Sequence, residues 1–339
     1  MIKVSSRESI SITQLSKLLK DENNFVISFH INPDYDAVAS SLALSYLLDR
    51  LDKNNIIVSE ESRSTFESNF SFLPEWEKIK DIKDIKNIDL SNYILVSLDS
   101  GDKKRLGKEL SELANKFKFL INIDHHRDND FFGNYNLVEI DVVSAGEIIF
   151  KLAKELNIKL SKELATYIYA SILGDGGSFR FDSVKPSTHL IAAELLETGI
   201  KPSFFNQNMY QNKKLEFIKL EGEVFQNIKT CCNDKVVWVI ITDELLKKYG
   251  IRESETEPII EDIGRIKDCI VYFTIKEKVE KNVISVAFRS KGDFDVSKVA
   301  RNFGGGGHKN AAGAVFDISQ GIDFVETKVL EELKKYLES

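Results

Sequence analysis

Three apolar runs in the N-terminal half of the chain each end directly in acidic or histidine side chains. The runs are residues 25–29, 93–98 and 119–123, and their short length and their Val, Ile, Leu and Phe content are typical of buried strands. They are followed by His30, by Asp99 and by the triplet Asp124-His125-His126. In open parallel α/β sheets the strand ends line the crevice in which ligands bind. The pattern therefore predicts such a sheet with a polar site at one edge.

Helical patterns alternate with these runs. Residues 37–51 carry Ala, Leu and Tyr at helical spacing, and further helices are predicted at 11–20, 103–116, 142–156 and 162–173. A short strand is predicted at 56–58, and residues 81–89 are predicted to form an exposed turn or short helix. This alternation is typical of an α/β fold with a doubly wound, mainly parallel sheet.

A chain of 339 residues usually forms two domains. We predict an N-terminal domain at 1–195, a connecting segment at 196–218 and a smaller domain at 219–339, with a polar connecting helix over 203–219. The C-terminal part is predicted to be a mixed sheet with strands at 236–242, 270–276 and 283–289 and helices at 296–302 and 324–337. We expect the active cleft between the two domains.

The acidic residues and histidines at the predicted strand ends are the donors that hard divalent cations prefer. Two neighbouring ions need a carboxylate between them, and Asp99 can be that bridge. Asp175, which follows residues 172–174, is a further acidic candidate. Taken singly, each acid is as readily a helix cap or a turn carboxylate. Taken together with His30 and His125, they favour a two-metal hydrolase.

The order of the motifs resembles that of the DHH phosphoesterase superfamily. The matching motifs are His30-x-Asn-Pro-Asp34-x-Asp36-Ala37, Asp99, Asp124-His125-His126 and Gly174-Asp175. Residues 303–313, FGGGGHKNAAG, look like the signature of the DHH-associated C-terminal domain. The resemblance spans nearly the whole chain. Its layout is similar to the NrnA-type branch, described as bifunctional oligoribonuclease and 3′-phosphoadenosine 5′-phosphate phosphatase.

The resemblance implies two metal ions, manganese by preference, in an N-terminal DHH domain. One ion would be held by His30, Asp34 and Asp99. The second would be held by Asp36, Asp99, His125 and Asp175. His126 would face the scissile phosphate, and Asp124 would orient an imidazole, since metal-bound histidines normally have such a partner.

Positive and flexible groups are the candidates for substrate contact. Arg105 follows Asp99 and would complete charge stabilisation, although a solvated helix-surface arginine is an equal alternative. In the C-terminal domain the resemblance implies substrate contacts from Arg289, from His308 and from the glycines Gly304, Gly305, Gly306 and Gly307. Consecutive glycines let backbone N–H groups approach an anion.

The net charge of −7 argues against a general duplex-binding surface, because non-specific duplex affinity comes mainly from Lys and Arg. Short single-stranded oligonucleotides or dinucleotides remain suitable partners, and a homodimer stays open. No secretory or membrane-spanning segment is visible, so we expect a cytoplasmic protein. The three cysteines, Cys231, Cys232 and Cys269, are expected to be reduced.

Three residues depart from the pattern of the NrnA-type branch: Tyr35, Ala39 and Gly176. None is a predicted metal ligand, so they bear on the substrate pocket. Tyr35 either points into the protein or offers its ring to a base. We predict hydrolysis of short oligonucleotides to mononucleotides, with 3′-phosphoadenosine 5′-phosphate as a second substrate. The alternatives are a soluble cyclic or linear dinucleotide phosphodiesterase and a non-catalytic nucleotide-binding protein.

Overall fold

The computed structural model describes residues 8–337, which form two compact units that divide between Gln211 and Asn212. Residues 8–211 are called unit 1, and residues 212–337 are called unit 2. Each unit has its own sheet and its own hydrophobic core. The predicted two-domain α/β class is therefore confirmed.

Unit 1 is built on a seven-stranded sheet in which every pairing is parallel. Its strands are β1 (Glu8–Ser9), β2 (Asn24–Ser28), β3 (Asn54–Ser59), β4 (Ile79–Asp81), β5 (Ile94–Leu98), β6 (Phe119–Asp124) and β7 (Tyr135–Val138). Its helices are α1 (Ile12–Asp21), α2 (Tyr35–Arg50), α3 (Glu67–Phe70), α4 (Lys108–Leu113), α5 (Ala145–Glu155), α6 (Lys162–Asp175), α7 (Pro186–Leu196) and α8 (Pro202–Tyr210). The predicted doubly wound sheet is confirmed.

The strand order is β1-β7-β6-β5-β2-β3-β4, so the chain winds in opposite directions from β2. Strands β3 and β4 lie on one side of β2, whereas β5, β6 and β7 lie on the other. The reversal between β2 and β5 is the point where ligands bind in sheets of this class. The three strands that lead into His30, Asp99 and Asp124 are adjacent there.

Both faces of the central strands are buried. Phe25 and Ile27 of β2 belong to the large core that includes residues of α1, α2, α5 and α6. Val26, between them, belongs to the core on the opposite face, with Leu106 and Phe117. Strands covered on both faces read as continuous apolar runs rather than as an alternating pattern. This burial explains why the runs were recognisable in the sequence.

Side-chain caps begin the first two long helices. The Ser11 hydroxyl accepts from the Gln14 N–H at 3.2 Å, and the Gln14 side chain accepts from the Ser11 N–H at 2.8 Å. The Asp34 carboxylate accepts from the Ala37 N–H at 3.0 Å and begins α2. This cap holds Asp34 and Asp36 in the first turn after β2.

The predicted helix over 103–116 was wrong as a single element. Three short pieces occur instead: a 3₁₀ turn at Lys103–Leu106, α4, and a 3₁₀ turn at Ala114–Lys116. The break is at Gly107, whose φ of 90° suits glycine. The Glu60 carboxylate accepts from the N–H groups of Glu109 and Leu110 at 2.8 and 3.0 Å, and so caps α4 from outside. The sequence shows no such distant cap.

Residues 81–89 were predicted to be exposed, but part of this segment is buried. Ile82–Ile85 is a 3₁₀ helix, and both isoleucines are buried. A 3₁₀ helix has three residues per turn, so side chains three apart lie on one face. The spacing of Ile82 and Ile85 therefore places both side chains on the face that packs into the protein.

Unit 2 has a six-stranded mixed sheet in the order β12-β13-β11-β10-β9-β8, in which β9 and β10 alone pair in parallel. Its strands are β8 (Lys229–Cys231), β9 (Val236–Ile241), β10 (Val271–Lys278), β11 (Val283–Ser290), β12 (Gly306–His308) and β13 (Ala311–Asp317). Its helices are α9 (Leu215–Gln226), α10 (Asp243–Tyr249), α11 (Pro258–Ile263), α12 (Val296–Arg301) and α13 (Ile322–Leu337). The predicted smaller mixed sheet is confirmed.

The predicted polar helix over 203–219 was wrong as one element. It is two helices, α8 and α9, which belong to different units. Strands β12 and β13 were not predicted, because the glycine and alanine residues that form them carry little strand signal. No helix between residues 8 and 337 is long and apolar enough to cross a membrane.

A substitution at Phe288 tests how much the core of unit 2 contributes to stability. Its side chain is fully buried beside Phe273, with the ring centroids 5.7 Å apart. Phe288→Ala should lower the free energy of unfolding by about 3 to 5 kcal/mol, because it removes buried surface and leaves a cavity. Val315→Ala, at an exposed position, should change it by less than about 0.5 kcal/mol.

Urea unfolding followed by tryptophan fluorescence measures the effect. In a Trp76→Phe background the remaining tryptophan, Trp238, lies in unit 2 against Phe273. Equal midpoints for Phe288→Ala and Val315→Ala would contradict the assignment of this core.

Candidate metal centre

His30 is fixed at the end of β2 by its own backbone. Its Nδ1 lies 2.8 Å from the Ile31 carbonyl oxygen, and the Ile31 N–H donates to the Arg105 carbonyl at 2.7 Å. The Nδ1 contact orients the ring, as expected for a metal-binding histidine. The free Nε2 then lies 3.6 Å from Asp34 Oδ2 and 3.5 Å from Asp99 Oδ2.

Asp99 follows β5 in a left-handed backbone conformation, with φ 53°. Such a conformation is uncommon for a residue other than glycine and often occurs at functional sites. Its N–H donates to the Ile123 carbonyl at 3.0 Å, which ties it to β6. Its Oδ2 faces His30, and its Oδ1 lies 3.3 Å from His125 Nε2.

A second group of donors surrounds His125 Nε2. Asp36 Oδ2 lies 3.4 Å from this nitrogen, and Asp175 Oδ2 lies 3.1 Å from it. The structure therefore brings the six candidate ligands into two adjacent groups that share Asp99. The first group is His30, Asp34 and Asp99. The second is Asp36, His125 and Asp175, which Asp99 joins through its contact with His125. Asp99 and His125 also lie near Asp124 and His126, whose Nδ1 is 3.5 Å from Asp99 Oδ1.

Four atoms at the centre of these groups are buried and lack a hydrogen-bond partner within the described chain. They are both oxygens of Asp99, His30 Nε2 and His125 Nε2. An unpaired buried polar atom costs about 1 to 3 kcal/mol, so several together indicate a missing partner. Oxygen and imidazole donors suit a divalent cation such as manganese. The residues present fit two such ions.

The charge balance also fits cations. Burial by itself lowers the pKa of His125, but contacts with Asp175 and Asp99 outweigh it and raise the pKa to about 12. The pKa of His30 rises to about 10 in the same way, against burial, through Asp34 and Asp99. Burial and the neighbouring carboxylates raise the pKa of Asp36 well above its usual range. The site therefore lacks positive charge, which two divalent cations would supply.

Asp36 is held by the start of α5, a contact that the sequence did not predict. Its carboxylate accepts from the N–H groups of Ala145 and Gly146 at 2.7 and 3.2 Å, and from the Ser171 hydroxyl at 2.6 Å. A side chain at position 146 would collide with Ser171, so glycine is required there. The available signal was Ser171, which lies four residues before Asp175 and therefore on the same side of α6.

Asp124 orients His126, as the resemblance implied for an imidazole. Its Oδ1 lies 2.7 Å from His126 Nδ1, and its Oδ2 accepts from the Asn129 side-chain amide at 2.5 Å. Burial would raise the pKa of Asp124, but the contacts with His126 and Asn129 lower it. Asn129 also donates to Asn122 at 2.8 Å, and neither asparagine was predicted. The Nε2 of His126 is left as the nitrogen available to a substrate.

Arg105 and Tyr35 lie beside the centre in different roles. Burial alone would raise the pKa of Asp34, but His30, the Ala37 N–H and Arg105 together hold it below its usual value, so Arg105 supplies positive charge near that carboxylate. The Tyr35 ring packs on Phe70 and Phe72 with centroid distances of 5.3 and 6.2 Å. This packing favours a structural role for Tyr35 over stacking of its ring on a base. Burial also raises its pKa to about 12.

Three of the predicted substrate residues of unit 2, Arg289, Gly306 and His308, share one face of its sheet. Arg289 is opposite Ala311, and Ala311 is opposite His308, so the three form a row across β11, β13 and β12. In the next row on that face, Gly313 is opposite Gly306. Arg289 contacts Glu261 at 3.3 Å and remains partly exposed.

Most of the glycines of this loop have a structural reason. Gly304 has φ 73° and Gly307 has φ 141°. A Cβ at Gly305 would lie 2.9 Å from the Cα of Ala314 and would clash with β13. A Cβ at Gly306 would meet no atom within 4 Å, so the fold does not require glycine there.

Comparisons with known proteins agree with this architecture. The model of the DHH family, N-terminal domain, matches residues 24–172, and that of the DHHA1 domain matches residues 233–338. A bifunctional oligoribonuclease and PAP phosphatase NrnA of Bacillus subtilis is 29% identical over 307 residues, covering 89% of this chain and 92% of that protein. The protein of the same name from Thermus thermophilus is 29% identical over 317 residues, covering 93% and 91%.

One solved structure matches both units. The crystal structure of an exopolyphosphatase-related protein from Bacteroides fragilis has a TM-score of 0.84 and 26% identity. The match covers 97% of each chain. The fold of each unit is thus shared with a solved protein.

A substitution at Ser171 tests whether its hydrogen bond to Asp36 supports metal binding. Ser171→Ala removes the hydroxyl that donates to Asp36, and loss of such a partner typically weakens metal affinity about 10- to 100-fold. Calorimetric titration with manganese should show this loss at one of two sites. Ser41→Ala is the matched control, because that buried hydroxyl donates only within α2, to Ala37 at 2.8 Å. Equal affinities in the two variants would contradict the proposed support of Asp36 by Ser171.

Proposed function

The chain belongs to the DHH family, and we propose that it hydrolyses short oligonucleotides to mononucleotides with two divalent ions, manganese by preference. One observation carries the proposal: Asp99 directs one buried oxygen into each of two donor groups. The activity named for the Bacillus subtilis and Thermus thermophilus relatives supports the substrate class. It also supports 3′-phosphoadenosine 5′-phosphate as a second substrate.

The residues of unit 1 have distinct tasks in this proposal. Two divalent ions, when bound, supply Lewis-acid stabilisation of the charge on the phosphate. Asp99 fixes the spacing of the two donor groups, and Asp36 ties one of them to α5. His126, whose Nδ1 is engaged by Asp124, presents Nε2 to a non-bridging phosphate oxygen. Arg105 adds positive charge near Asp34.

The residues of unit 2 bind the nucleotide in this proposal. Arg289 and His308 flank small residues on one open row of the sheet, and Gly306 has no structural need for glycine. A bare backbone at Gly306 lets a ligand approach closely. We therefore propose that residues 219–339 form the substrate-binding domain, as the sequence predicted.

Product analysis tests the proposed activity directly. RNA and DNA of two to twenty nucleotides, labelled at the 5′ end, are incubated with the protein and manganese or magnesium. We expect the shortest RNAs to yield mononucleotides. Activity on cyclic dinucleotides alone would instead support a dinucleotide phosphodiesterase. Tight nucleotide binding without any turnover would support a non-catalytic protein.

Alanine substitutions of Asp99 and His126 should change turnover and metal content in different ways. Asp99→Ala should abolish turnover and lower the metal content, because it removes a donor shared by both groups. His126→Ala should keep both ions and lower the rate by about 10²- to 10³-fold, because it removes a contact with the phosphate. Turnover and metal content by mass spectrometry distinguish the two. Metal loss in His126→Ala would make this histidine a ligand.

Arg289 and His308 should affect kcat/KM only for substrates that are long enough to contact them. Alanine at either position should reduce kcat/KM for dinucleotides more than for bis-p-nitrophenyl phosphate. Arg252→Ala is the control, since Arg252 is an exposed arginine of unit 2 that pairs with Glu255 at 3.1 Å. Equal losses on both substrates would show that Arg289 and His308 serve the fold.

A further inference from the structure

A cavity of about 580 Å³ opens on unit 1, away from the metal centre. Its walls are the first turns of α6 and α8 and the loop that contains Pro74. Thr166 in its wall and Asp175 in the metal centre lie nine residues apart on α6, roughly 14 Å along the helix axis. A cavity of this size can hold a small molecule.

The wall of the cavity is largely apolar and aromatic. Phe204 and Phe205 meet edge to face with a centroid distance of 5.5 Å, and Phe204 is 40% exposed. Phe204 also packs on Phe72 at 5.8 Å, which holds its ring in place. An exposed aromatic ring in a fixed position offers a stacking surface to a flat ligand.

The acidic and hydroxyl groups of the wall are already engaged. Glu75 pairs with Lys78 at 2.6 Å, and Glu163 accepts from the Tyr167 hydroxyl at 3.1 Å. The Thr166 hydroxyl donates to the Lys162 carbonyl at 2.8 Å. By contrast, the ammonium groups of Lys162 and Lys201 have no ion pair or hydrogen bond to any residue between 8 and 337. The charged groups of the wall without a partner in this part of the chain are therefore the two ammonium groups, although Glu163 keeps its negative charge because its partner, the Tyr167 hydroxyl, is neutral.

Two helices begin at the cavity and add to that positive charge. α6 has 14 residues and α8 has 9, and each points its N-terminus at the cavity through Lys162 and Lys201. Lys201 stands at the cap position of α8 without a side-chain cap. Pro202 has no N–H and the Phe204 N–H donates to the Lys201 carbonyl at 3.0 Å, so the Ser203 N–H is the one first-turn donor of α8 without a partner among residues 8–337. Helix N-termini favour anions.

We propose that this cavity binds a small aromatic anion, a ring system that carries a carboxylate, sulfonate or phosphate. The ring lies against the exposed ring of Phe204, and the anionic group lies between Lys162 and Lys201. A nucleoside monophosphate and an aromatic acid share this chemistry. The site goes beyond the proposed hydrolysis, and its occupancy does not depend on that activity.

Fluorescence of 8-anilinonaphthalene-1-sulfonate, itself an aromatic anion, tests the site on the full chain. A chelator is present, so that metal ions cannot recruit the probe to the metal centre. We expect saturable binding that weakens by about tenfold or more in the Lys162→Ala/Lys201→Ala double variant, since it removes both cations. Thr166→Trp, which fills the cavity, should abolish binding.

The matched control is Lys17→Ala/Lys116→Ala, which removes two exposed lysines of unit 1 outside the cavity. It should bind the probe as the unmodified chain does. Unchanged binding in the Lys162/Lys201 variant, or an equal loss in the control, would overturn the proposal. Because all four lysines are exposed, this comparison stands even if Thr166→Trp fails to fold.

Competition identifies the source of the ligand. Displacement of the probe by adenosine 5′-monophosphate indicates a nucleotide, and displacement by indole-3-acetate indicates an aromatic acid. Equal displacement by neutral benzyl alcohol would overturn the charge preference. Failure of both anions to displace the probe would overturn the site.

Discussion

The carboxylate of Asp99 is the constraint on which the rest of unit 1 depends. One oxygen faces His30 and the other faces His125, and both are buried without a hydrogen-bond partner in the described chain. This division requires the ends of β2, β5 and β6 to be adjacent, which the reversal of winding at β2 achieves. It also requires the left-handed backbone at Asp99. Buried polar atoms of this kind destabilise the protein alone and become favourable when cations bind.

Hydrogen bonds to the neighbouring carboxylates, Asp36 and Asp124, limit the number of unpaired polar atoms at the centre. Asp36 is satisfied by two backbone N–H groups of α5 and by Ser171, and Asp124 is satisfied by His126 and Asn129. These two carboxylates are therefore rigid, and the atoms left unpaired are those that face the two donor groups. Gly146 makes the arrangement possible, because any side chain there would displace Ser171. Packing and chemistry are thus linked at one helix terminus.

Particular residues show which features of unit 1 can be predicted from the sequence and which cannot. The strand ends that carry His30, Asp99 and Asp124 were recognisable because strands buried on both faces are continuous apolar runs. The single helix predicted over 103–116 failed because Glu60, distant in sequence, caps α4 beyond Gly107. Ser171 and Asn129 were missed because their importance comes from partners 135 and 5 residues away, and neither belongs to a recognisable motif.

The sequence by itself determined the fold class and the presence of two sheets, because these follow from local periodicity, and its short motifs supplied the candidate donors. Only the tertiary structure decided which oxygen of Asp99 faces which histidine, and that α5 holds Asp36. It also decided that the Tyr35 ring packs on Phe70 and Phe72, and that Arg289 and His308 share one row of a sheet. Those features depend on contacts between residues far apart in the chain, and local sequence patterns do not encode such contacts.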